Sequence, residues 1–289
     1  MSQLSLIKER LKTVANLHQV TKAMEMVTRT KINKVRQNAN QAKNYQAWAA
    51  EVFAQISALG RAEPEESRGP TVRYYLAFFS HKGFCGGFND KLLAQLQAAL
   101  AVPGRGKLAG LYCLGRHSAK WAHYLGTGYT PMAAAAANYQ TETAPILAEL
   151  AAGIMGGQKV EVYFAYNALV SVLEQRPTIT KIYPFDREPP RVCREIVLEP
   201  DYEQIYPEIL RSYLAACLDK VYWESVAGEH YARLVSMQNA NKNADLILHN
   251  LALQYNKTRQ MRITQELSEV VSAFGVLQMT AAKAEEGVW

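Results

Sequence analysis

Apolar residues recur at steps of three and four near both ends of the chain. The first stripe of this kind comprises Leu4, Ile7, Leu11, Val14, Leu17, Val20, Met24 and Val27. A stricter alternation follows and comprises Ala42, Tyr45, Ala49, Val52, Ile56 and Leu59. The spacing predicts an amphipathic helix, and the strict alternation is typical of a coiled-coil seam. If unbroken, a helix of about 60 residues would be roughly 90 Å long, so we expect it to extend beyond the rest of the chain.

The C-terminal segment, from about Pro207, has the same helical periodicity. Its last apolar stripe comprises Leu267, Val270, Phe274, Leu277 and Ala281. One helical segment leads into the middle of the chain and the other leads out of it. The simplest packing is therefore an antiparallel pair of helices that shares one apolar seam.

The middle of the chain has a different pattern. All eleven prolines lie between Pro64 and Pro207, whereas residues 1–59 contain neither proline nor glycine. Short β-favouring runs alternate here with helix-like stretches, which predicts βαβ units on a largely parallel sheet. The predicted strands are Val72–Phe79, Leu108–Leu114 and Val160–Ala165, with Thr178–Tyr183 as a further edge strand, and the predicted helices are Asn89–Leu100, His117–Leu125 and Thr143–Met155.

These patterns predict an α/β fold class. We expect a long antiparallel coiled coil of N- and C-terminal helices, together with a central α/β domain whose sheet is mostly parallel. The predicted segments are 1–62 for the first helix, 70–190 for a Rossmann-like central domain, and 205–289 for the helices that complete the coiled coil.

Positive charge is concentrated in the first helix. The chain has a formal net charge of +6 and a pI near 9.0. Residues 1–59 contain nine Lys or Arg and three Asp or Glu, and 9 − 3 gives a local balance of +6. Between Thr28 and Lys43 there are five cations and no acid. Four of them are called the basic collar below: Arg29, Lys31, Lys34 and Arg36.

Such a collar could be a solvated helical face, or it could bind nucleic-acid phosphates or an acidic protein. Only Tyr45 and Trp48 are near enough to stack on bases, and both lie close to the predicted coiled-coil seam. An acidic protein partner fits the pattern best, and a nucleic-acid partner is not expected.

Cysteine spacing and hydropathy exclude several classes of protein. The four cysteines form no CxxC pair and have no histidine at ligand spacing, so we expect reduced thiols and no metal site. The N-terminal sequence lacks an apolar signal core, and the longest uncharged run, Tyr124–Thr141, is interrupted by glycine and proline. We expect no direct insertion into a membrane.

The stretch SHKGFCGGFND, Ser80–Asp90, is the most enzyme-like feature. It is a glycine-rich turn between a predicted strand and a predicted helix, where nucleotide folds bind phosphate. Its glycines, however, match neither GxGxxG nor GxxxxGK[ST], so a tight turn is the simpler interpretation. Cys85 could act as a nucleophile near His81, although the turn offers no third group to orient a base.

Three motifs resemble the gamma subunits of F-type ATP synthases. VTKAMEMV, Val20–Val27, is similar to the N-terminal signature of that family. SHKGFCGGFN, Ser80–Asn89, resembles its glycine loop, and QYNKTRQMRITQELSEVVS, Gln254–Ser272, closely resembles its C-terminal signature. The resemblance extends from about Leu4 to Leu277.

The resemblance implies a non-catalytic central shaft that has no cofactor of its own and couples ion flow to ATP synthesis or hydrolysis. The implied partners are the alpha and beta subunits, the epsilon subunit and the membrane rotor c-ring. The shaft contacts that the resemblance implies include Met24 in the first helix and a catch-loop set, Arg259, Gln260, Thr264 and Glu266. The segment LEPD, Leu198–Asp201, resembles a part of the family that contacts the rotor ring, so Glu199 and Tyr202 are the candidates for that contact.

Two departures from the family pattern add positive charge near the shaft. Thr28, Arg29 and Thr30 stand where the family usually has small residues, and MQNANKNA, Met237–Ala244, has Lys242 in place of an acid. These departures indicate a divergent or paralogous form. The N-terminus resembles no transit peptide, which favours a bacterial protein on the cytoplasmic face of the inner membrane. The alternatives left by the residues themselves are a basic coiled-coil nucleic-acid binder and an α/β enzyme that uses the Cys85 turn.

Overall fold

In sequence order, a long helix at each end of the chain flanks a segment of alternating strands and helices. The computed structural model describes residues 3–59, 70–102, 106–116, 118–125, 130–132, 138–185 and 198–286, without the side chains of 119, 122, 131, 132 and 276–286. The helices are α1 Gln3–Leu59, α2 Phe88–Leu100, α3 Ser118–His123, α4 Tyr139–Met155 and α5 Tyr202–Glu286. The strands are β1 Val72–Phe78, β2 Lys107–Leu114, β3 Thr130–Met132, β4 Val160–Leu169 and β5 Gln175–Tyr183.

The strands form one sheet in the order β3-β2-β1-β4-β5. β1 pairs in parallel with β2 and β4, β2 pairs in parallel with β3, and β5 pairs antiparallel with β4 at the edge. The predicted α/β class with a mostly parallel sheet is therefore confirmed, and so is the edge strand around Thr178–Tyr183. Each predicted strand and helix of the middle segment has a counterpart in the structure.

The sheet is covered on both faces because its central strand is apolar on both faces. Along β1, Leu76 and Phe78 belong to one core cluster, whereas Tyr75 and Ala77 belong to the other, as the two-residue period of a strand requires. The first cluster is completed by side chains of α1, α4 and α5, and the second by side chains of α2 and α3. This arrangement places α5 directly against the sheet.

The chain separates into two compact units. One comprises Met1–Glu25 with Met237–Trp289, and the other comprises Met26–Ser236, which contains the whole sheet. This clustering does not test the segment boundaries predicted from the sequence, 1–62, 70–190 and 205–289, which stay predictions.

In the helical unit, α1 and α5 are antiparallel neighbours. The Asn241 amide of α5 contacts Glu25 of α1, and farther along α5 Asp245 contacts His18, which lies earlier on α1. Because residue numbers rise on one helix as they fall on the other, the two helices run in opposite directions. The predicted antiparallel pairing is therefore present in this unit.

The covered face of α1 agrees with the predicted one only in part. Leu4, Ile7, Leu11 and Val14 are buried or half-buried, as predicted. Leu17, Val20 and Val27 are more than half exposed, so the prediction that they lie in the seam is wrong. One series of buried or half-buried residues along α1 alternates by three and four, but it passes through polar side chains. It comprises Leu4, Ile7, Leu11, Val14, His18, Thr21, Glu25, Thr28, Ile32, Val35, Ala39, Ala42, Gln46, Ala49, Phe53 and Ile56.

Candidate interaction surfaces

A hydrogen-bonded polar layer joins the two helices of the helical unit. The Thr21 hydroxyl donates to the side-chain oxygen of Asn241. The Asn241 amide donates to one carboxylate oxygen of Glu25 at 2.7 Å, and the Gln238 amide lies 3.4 Å from the other. Partly buried groups that depend on matched partners favour one relative register of two helices over others. The layer therefore fixes how α1 and α5 are aligned.

The part of α5 from Arg259 to Gly275 is exposed on every side. From Asn241 onward the covered residues of α5 alternate by three and four and end at Thr258, and every side chain described from Arg259 to Gly275 is exposed. This part nevertheless carries large apolar side chains at helical spacing. They are Ile263 at 44%, Leu267 at 61%, Val270 at 54%, Val271 at 70% and Phe274 at 65% exposure, and they are called the apolar stripe below.

An apolar stripe of this length on an exposed helix is unusual in a chain that acts alone. Exposed apolar patches of soluble proteins mark the places where another surface binds. The prediction that Leu267, Val270 and Phe274 lie in a seam shared with α1 is wrong, since all three are exposed. Leu277 and Ala281, which the same prediction included, have side chains outside the described residues.

The four predicted catch-loop residues lie on this exposed part of α5. Arg259, Gln260, Thr264 and Glu266 are all exposed. Glu266 forms an ion pair of 2.8 Å with Arg262, and the Thr264 hydroxyl donates to the Gln260 carbonyl at 3.0 Å. Exposed pairs of this kind exchange readily for other partners because they contribute little to stability. The set thus offers charged and polar groups beside the apolar stripe.

Met24 and the basic collar lie on α1. The Met24 side chain is half-buried, whereas Met26 is 57% exposed. The four collar residues, Arg29, Lys31, Lys34 and Arg36, are all exposed. Seven residues are close to two helical turns, so Arg29 and Arg36 share one face, and Lys31 and Lys34, three residues apart, share another. The collar therefore presents positive charge on two faces of α1.

The glycine-rich turn is held by an ion pair that the sequence analysis did not identify. Glu229 and Arg233 of α5 form an ion pair whose side chains are 5% and 4% exposed. The Glu229 carboxylate accepts the backbone N–H groups of His81 at 2.8 Å and Lys82 at 3.1 Å. Arg233 donates to the carbonyls of Lys82 at 2.9 Å and Gly83 at 3.0 Å. The only sequence signal for this clamp is the i, i+4 spacing of two opposite charges.

Burial and backbone shape define the turn further. Gly86 has φ +58°, where glycine carries no steric penalty, and Phe84 has φ +62° although it is not glycine. The Phe84 side chain is 70% exposed. Burial lowers the pKa of His81, which packs edge-on against Tyr222 of α5 with ring centroids 5.6 Å apart. The turn is therefore a rigid projection fixed to α5.

The structure does not favour the Cys85 enzyme alternative. Cys85 is 5% exposed, and burial raises the pKa of its thiol, whereas a nucleophilic cysteine needs a lowered one. In open parallel sheets, ligands bind where the strand order reverses, which here is between the carboxyl ends of β1 and β4. That crevice is occupied by α5, because the Ser225 hydroxyl donates to the Phe78 carbonyl at the end of β1 at 3.4 Å, and Glu224 accepts the Leu169 N–H at the end of β4 at 3.2 Å.

The predicted rotor-ring residues flank the start of α5. Glu199 is exposed, and Tyr202 is half-buried and stacks on Tyr206 with ring centroids 5.2 Å apart. Burial raises the pKa of Tyr202 to about 12, so its hydroxyl stays protonated and can donate. The Asp201 carbonyl accepts the Gln204 and Ile205 N–H groups at 3.0 and 3.1 Å, which fixes the first turn of the helix.

The described residues offer neither a membrane span nor a metal cluster. Across the helices that the structure describes, no stretch of sufficient length is apolar enough to cross a bilayer. Within the same part of the chain, no three His, Cys, Asp or Glu side chains are grouped to hold a metal ion. Cys85, Cys113 and Cys217 are free and buried, and Cys193 lies outside the described residues.

Sequence comparison finds close matches over nearly the whole chain. A family model described as ATP synthase matches residues 3–277. The chain is 32% identical to an ATP synthase gamma chain of Geobacter sp. (strain M21), with 94% of this chain and 98% of that one covered. It is 31% identical to an ATP synthase gamma chain of Polynucleobacter asymbioticus, with 92% and 96% covered.

Solved structures with a similar fold come from mitochondrial ATP synthases. A chain from the rotor of the Euglena gracilis enzyme in rotational state 1 has a TM-score of 0.61 at 18% identity, covering 90% of this chain and 98% of that chain. A chain from the OSCP/F1/c-ring structure of the same enzyme in rotational state 3 has a TM-score of 0.63 at 19% identity, with 99% and 96% covered. At these identities the likeness shows a shared fold.

Proposed function

Because the chain belongs to the ATP synthase gamma-chain family, we propose that it is the central rotor shaft of a rotary F-type ATP synthase. The observation that carries this proposal most directly is the exposed part of α5 from Arg259 to Gly275, where the apolar stripe has no cover from the described part of the chain. A shaft that turns inside a ring of alpha and beta subunits needs such a surface. An apolar contact is non-directional, so it holds the shaft in place at every angle of rotation.

The polar groups beside the apolar stripe form the contacts that break and form again as the shaft rotates. Arg259, Gln260, Thr264 and Glu266 are exposed and can form charge-assisted hydrogen bonds with a loop of each beta subunit in turn. The Arg262–Glu266 pair is also exposed, so either partner can be exchanged at low cost. Met24 adds a flexible thioether contact that adapts to surfaces of different shape.

Positive charge on α1 suits the same ring. Arg29 and Arg36 on one face and Lys31 and Lys34 on the other meet acidic loops of the ring subunits whichever way the helix faces. The attraction between exposed charges is screened by salt, which allows contacts to break at each step of rotation. Nothing in this arrangement requires a nucleic acid.

The sheet-containing unit serves as the foot of the shaft. Glu199 and Tyr202 at the start of α5 are the proposed contact with the membrane rotor c-ring, and the epsilon subunit is a further proposed partner of the foot. The chain has no catalytic site or cofactor of its own in this proposal, which is supported by the contacts of α5 with the carboxyl ends of β1 and β4 and by the raised pKa of the Cys85 thiol. It would act as a peripheral protein on the cytoplasmic face of a bacterial inner membrane.

Recovery of the assembly from native membranes tests this function. The tagged chain is purified in mild detergent, and its partners are identified by mass together with magnesium-dependent ATPase activity. We expect alpha and beta subunits in threefold excess over the tagged chain. A chain recovered alone, or with nucleic acid, would contradict the proposal.

One double variant and one control variant test whether the apolar stripe is needed for this function. Replacing Leu267 and Phe274 by serine removes two of its largest side chains and should abolish coupling of ATP hydrolysis to rotation without unfolding the chain, because both are already exposed. The matched control is Leu173→Ser, since Leu173 is 76% exposed on the turn between β4 and β5. Equal loss of coupling in both variants would show that the stripe has no special role.

A further inference from the structure

His230 of α5 is a histidine placed between the two partners of the buried clamp in sequence. It follows Glu229 directly and precedes Arg233 by three residues, so on a helix its side chain neighbours that of Arg233. Its side chain is half-buried, and its Nδ1 atom is buried without a hydrogen-bond partner in the described part of the chain. Buried polar atoms of folded proteins normally have such a partner, so this ring requires an explanation.

The charges that act on the His230 ring are mostly positive. Among the described residues they come from three elements: Glu229 and Arg233 of α5, Lys31 of α1, and Lys82 of the glycine-rich turn. Burial is the main reason that the pKa of His230 is lowered, and the three cations add to it. Because one carboxylate alone opposes them, the ring is neutral at pH 7 and a proton on it would be poorly compensated.

His81, on the turn itself, has a different set of charges around it. Burial is the largest cause of its lowered pKa, and Arg233 adds to it, but Glu229 and Glu142 both act in the opposite direction. Two carboxylates can therefore compensate a charge on His81. The buried histidine that would disturb the clamp on protonation is accordingly His230.

A positive charge on His230 would act on both partners of the clamp. It would repel the neighbouring Arg233, which donates to two carbonyls of the turn at 2.9 and 3.0 Å. It would also attract Glu229, whose carboxylate now accepts two N–H groups of the turn at 2.8 and 3.1 Å. Protonation of this one ring would thus weaken every clamp contact that holds the turn to α5.

We propose that His230 is an acid-sensitive latch, whose protonation releases the glycine-rich turn from the Glu229–Arg233 clamp. At neutral pH the ring is uncharged and the clamp holds the turn. In the released state the ring is solvated and binds a proton more readily, so a fall in pH shifts the population toward release. The segment set free includes Phe84, whose side chain is 70% exposed.

The latch does not depend on the proposed function. All of its charged groups lie within the unit Met26–Ser236, and the shaft proposal assigns no role to the turn. A failure of either proposal would therefore leave the other intact.

Amide hydrogen exchange of the full-length chain between pH 7.5 and 5 tests the latch. Rates at His81 and Lys82 are converted to protection factors, which removes the intrinsic effect of pH on exchange. If release exposes one histidine with an ordinary pKa of about 6.5, the protection factors should fall by up to about tenfold per pH unit below that value, or about thirtyfold over the whole range. The Ser171 N–H, which donates to the Glu174 carbonyl at 3.0 Å in another turn, should keep its protection.

Histidine variants identify the group that takes up the proton. In His230→Gln, protection at His81 and Lys82 should vary by less than about threefold over the same range, because the ring that titrates is gone. His230→Leu, which fills a half-buried site without binding a proton, should give the same result if the glutamine variant folds poorly. The matched control is His249→Gln, since His249 is exposed on the same helix, and it should keep the wild-type dependence.

Three results would overturn the latch. The first is protection at His81 and Lys82 that stays constant between pH 7.5 and 5 in the wild-type chain. The second is a wild-type pH dependence that survives in both His230 variants. The third is an equal loss of that dependence in His249→Gln.

Discussion

Replacing Glu229 by glutamine should destabilise the chain severely. The substitution preserves the shape of the side chain but removes the charge that balances Arg233, and the two side chains are only 5% and 4% exposed. Removing one partner of a buried ion pair costs about 3–5 kcal/mol, because the other charge stays buried without compensation. The glutamine NH₂ group would also face the backbone N–H group of either His81 or Lys82, which the carboxylate now accepts.

Urea unfolding followed by circular dichroism measures this cost. We expect the free energy of unfolding to fall by about 3–5 kcal/mol, with little change in the denaturant slope. For a unit of this size the same loss corresponds to a decrease of roughly 6–20 °C in melting temperature. Faster amide hydrogen exchange at His81 and Lys82 would localise the loss to the glycine-rich turn.

An exposed ion pair on the same helix provides the control. Glu208 contacts Arg211 at 2.7 Å, but these side chains are 70% and 49% exposed. Glu208→Gln should cost less than about 1 kcal/mol, because water solvates both charges when the pair is lost. If Glu229→Gln cost no more than Glu208→Gln, the inference that the clamp fixes the turn would be refuted.

Three further predictions concern other groups that are buried or half-buried. Burial lowers the pKa of His81 and of His230, so below about pH 6.5 the unfolded chain binds more protons than the folded chain. The free energy of unfolding should therefore fall with decreasing pH, by at most about 1.4 kcal/mol per pH unit for each histidine. A free energy of unfolding that stays constant between pH 7.5 and 5 would contradict this. Asn241→Ala should destabilise the helix pair by about 1–3 kcal/mol in thermal unfolding, because the half-buried Glu25 carboxylate then loses its closest amide. The control, Asn243→Ala, changes an exposed residue of the same helix and should be nearly neutral. Cys85 should react slowly with iodoacetamide in the folded chain, and Cys85→Ala should retain coupling in the assembled complex; rapid modification with loss of coupling would revive the enzyme alternative.

The sequence predicted the sheet well because its strands obey local rules. Val72–Phe79 and Val160–Ala165 are predominantly apolar runs, each with one charged residue (Arg73 and Glu161), and both correspond to strands in the structure. The short strand β3, Thr130–Met132, was not predicted. Three residues that include Pro131 do not provide a strand signal that can be distinguished from a loop.

The covered face of α1 was harder to predict because the partner helix decides it. The sequence analysis followed the apolar residues Leu17 and Val20, but the structure covers His18 and Thr21 instead. Polar residues occupy covered positions here because Asn241 and Asp245 of α5 supply hydrogen-bonding partners, which no pattern within α1 reveals. The apolar residues left outside are then available to other proteins.

Some residues of the candidate surfaces could be suggested from the sequence, and others were found only in the structure. Resemblance to known motifs suggested Arg259 and Glu266, and both are exposed in the structure, while their role in contacts stays a prediction. The Glu229–Arg233 clamp depends on contacts between residues far apart in sequence. Periodicity carries no information about such contacts, so only the folded structure brings them to view.

Rotation of the chain inside its assembly tests the central claim most directly. The chain would be assembled with alpha and beta subunits on a surface, and a bead would be attached to its sheet-containing unit. We expect the bead to turn in one direction when magnesium and ATP are added, with three pauses per turn because three beta subunits meet the shaft in succession. An assembly that hydrolyses ATP while the bead stays still would contradict the account of this chain as the rotor shaft.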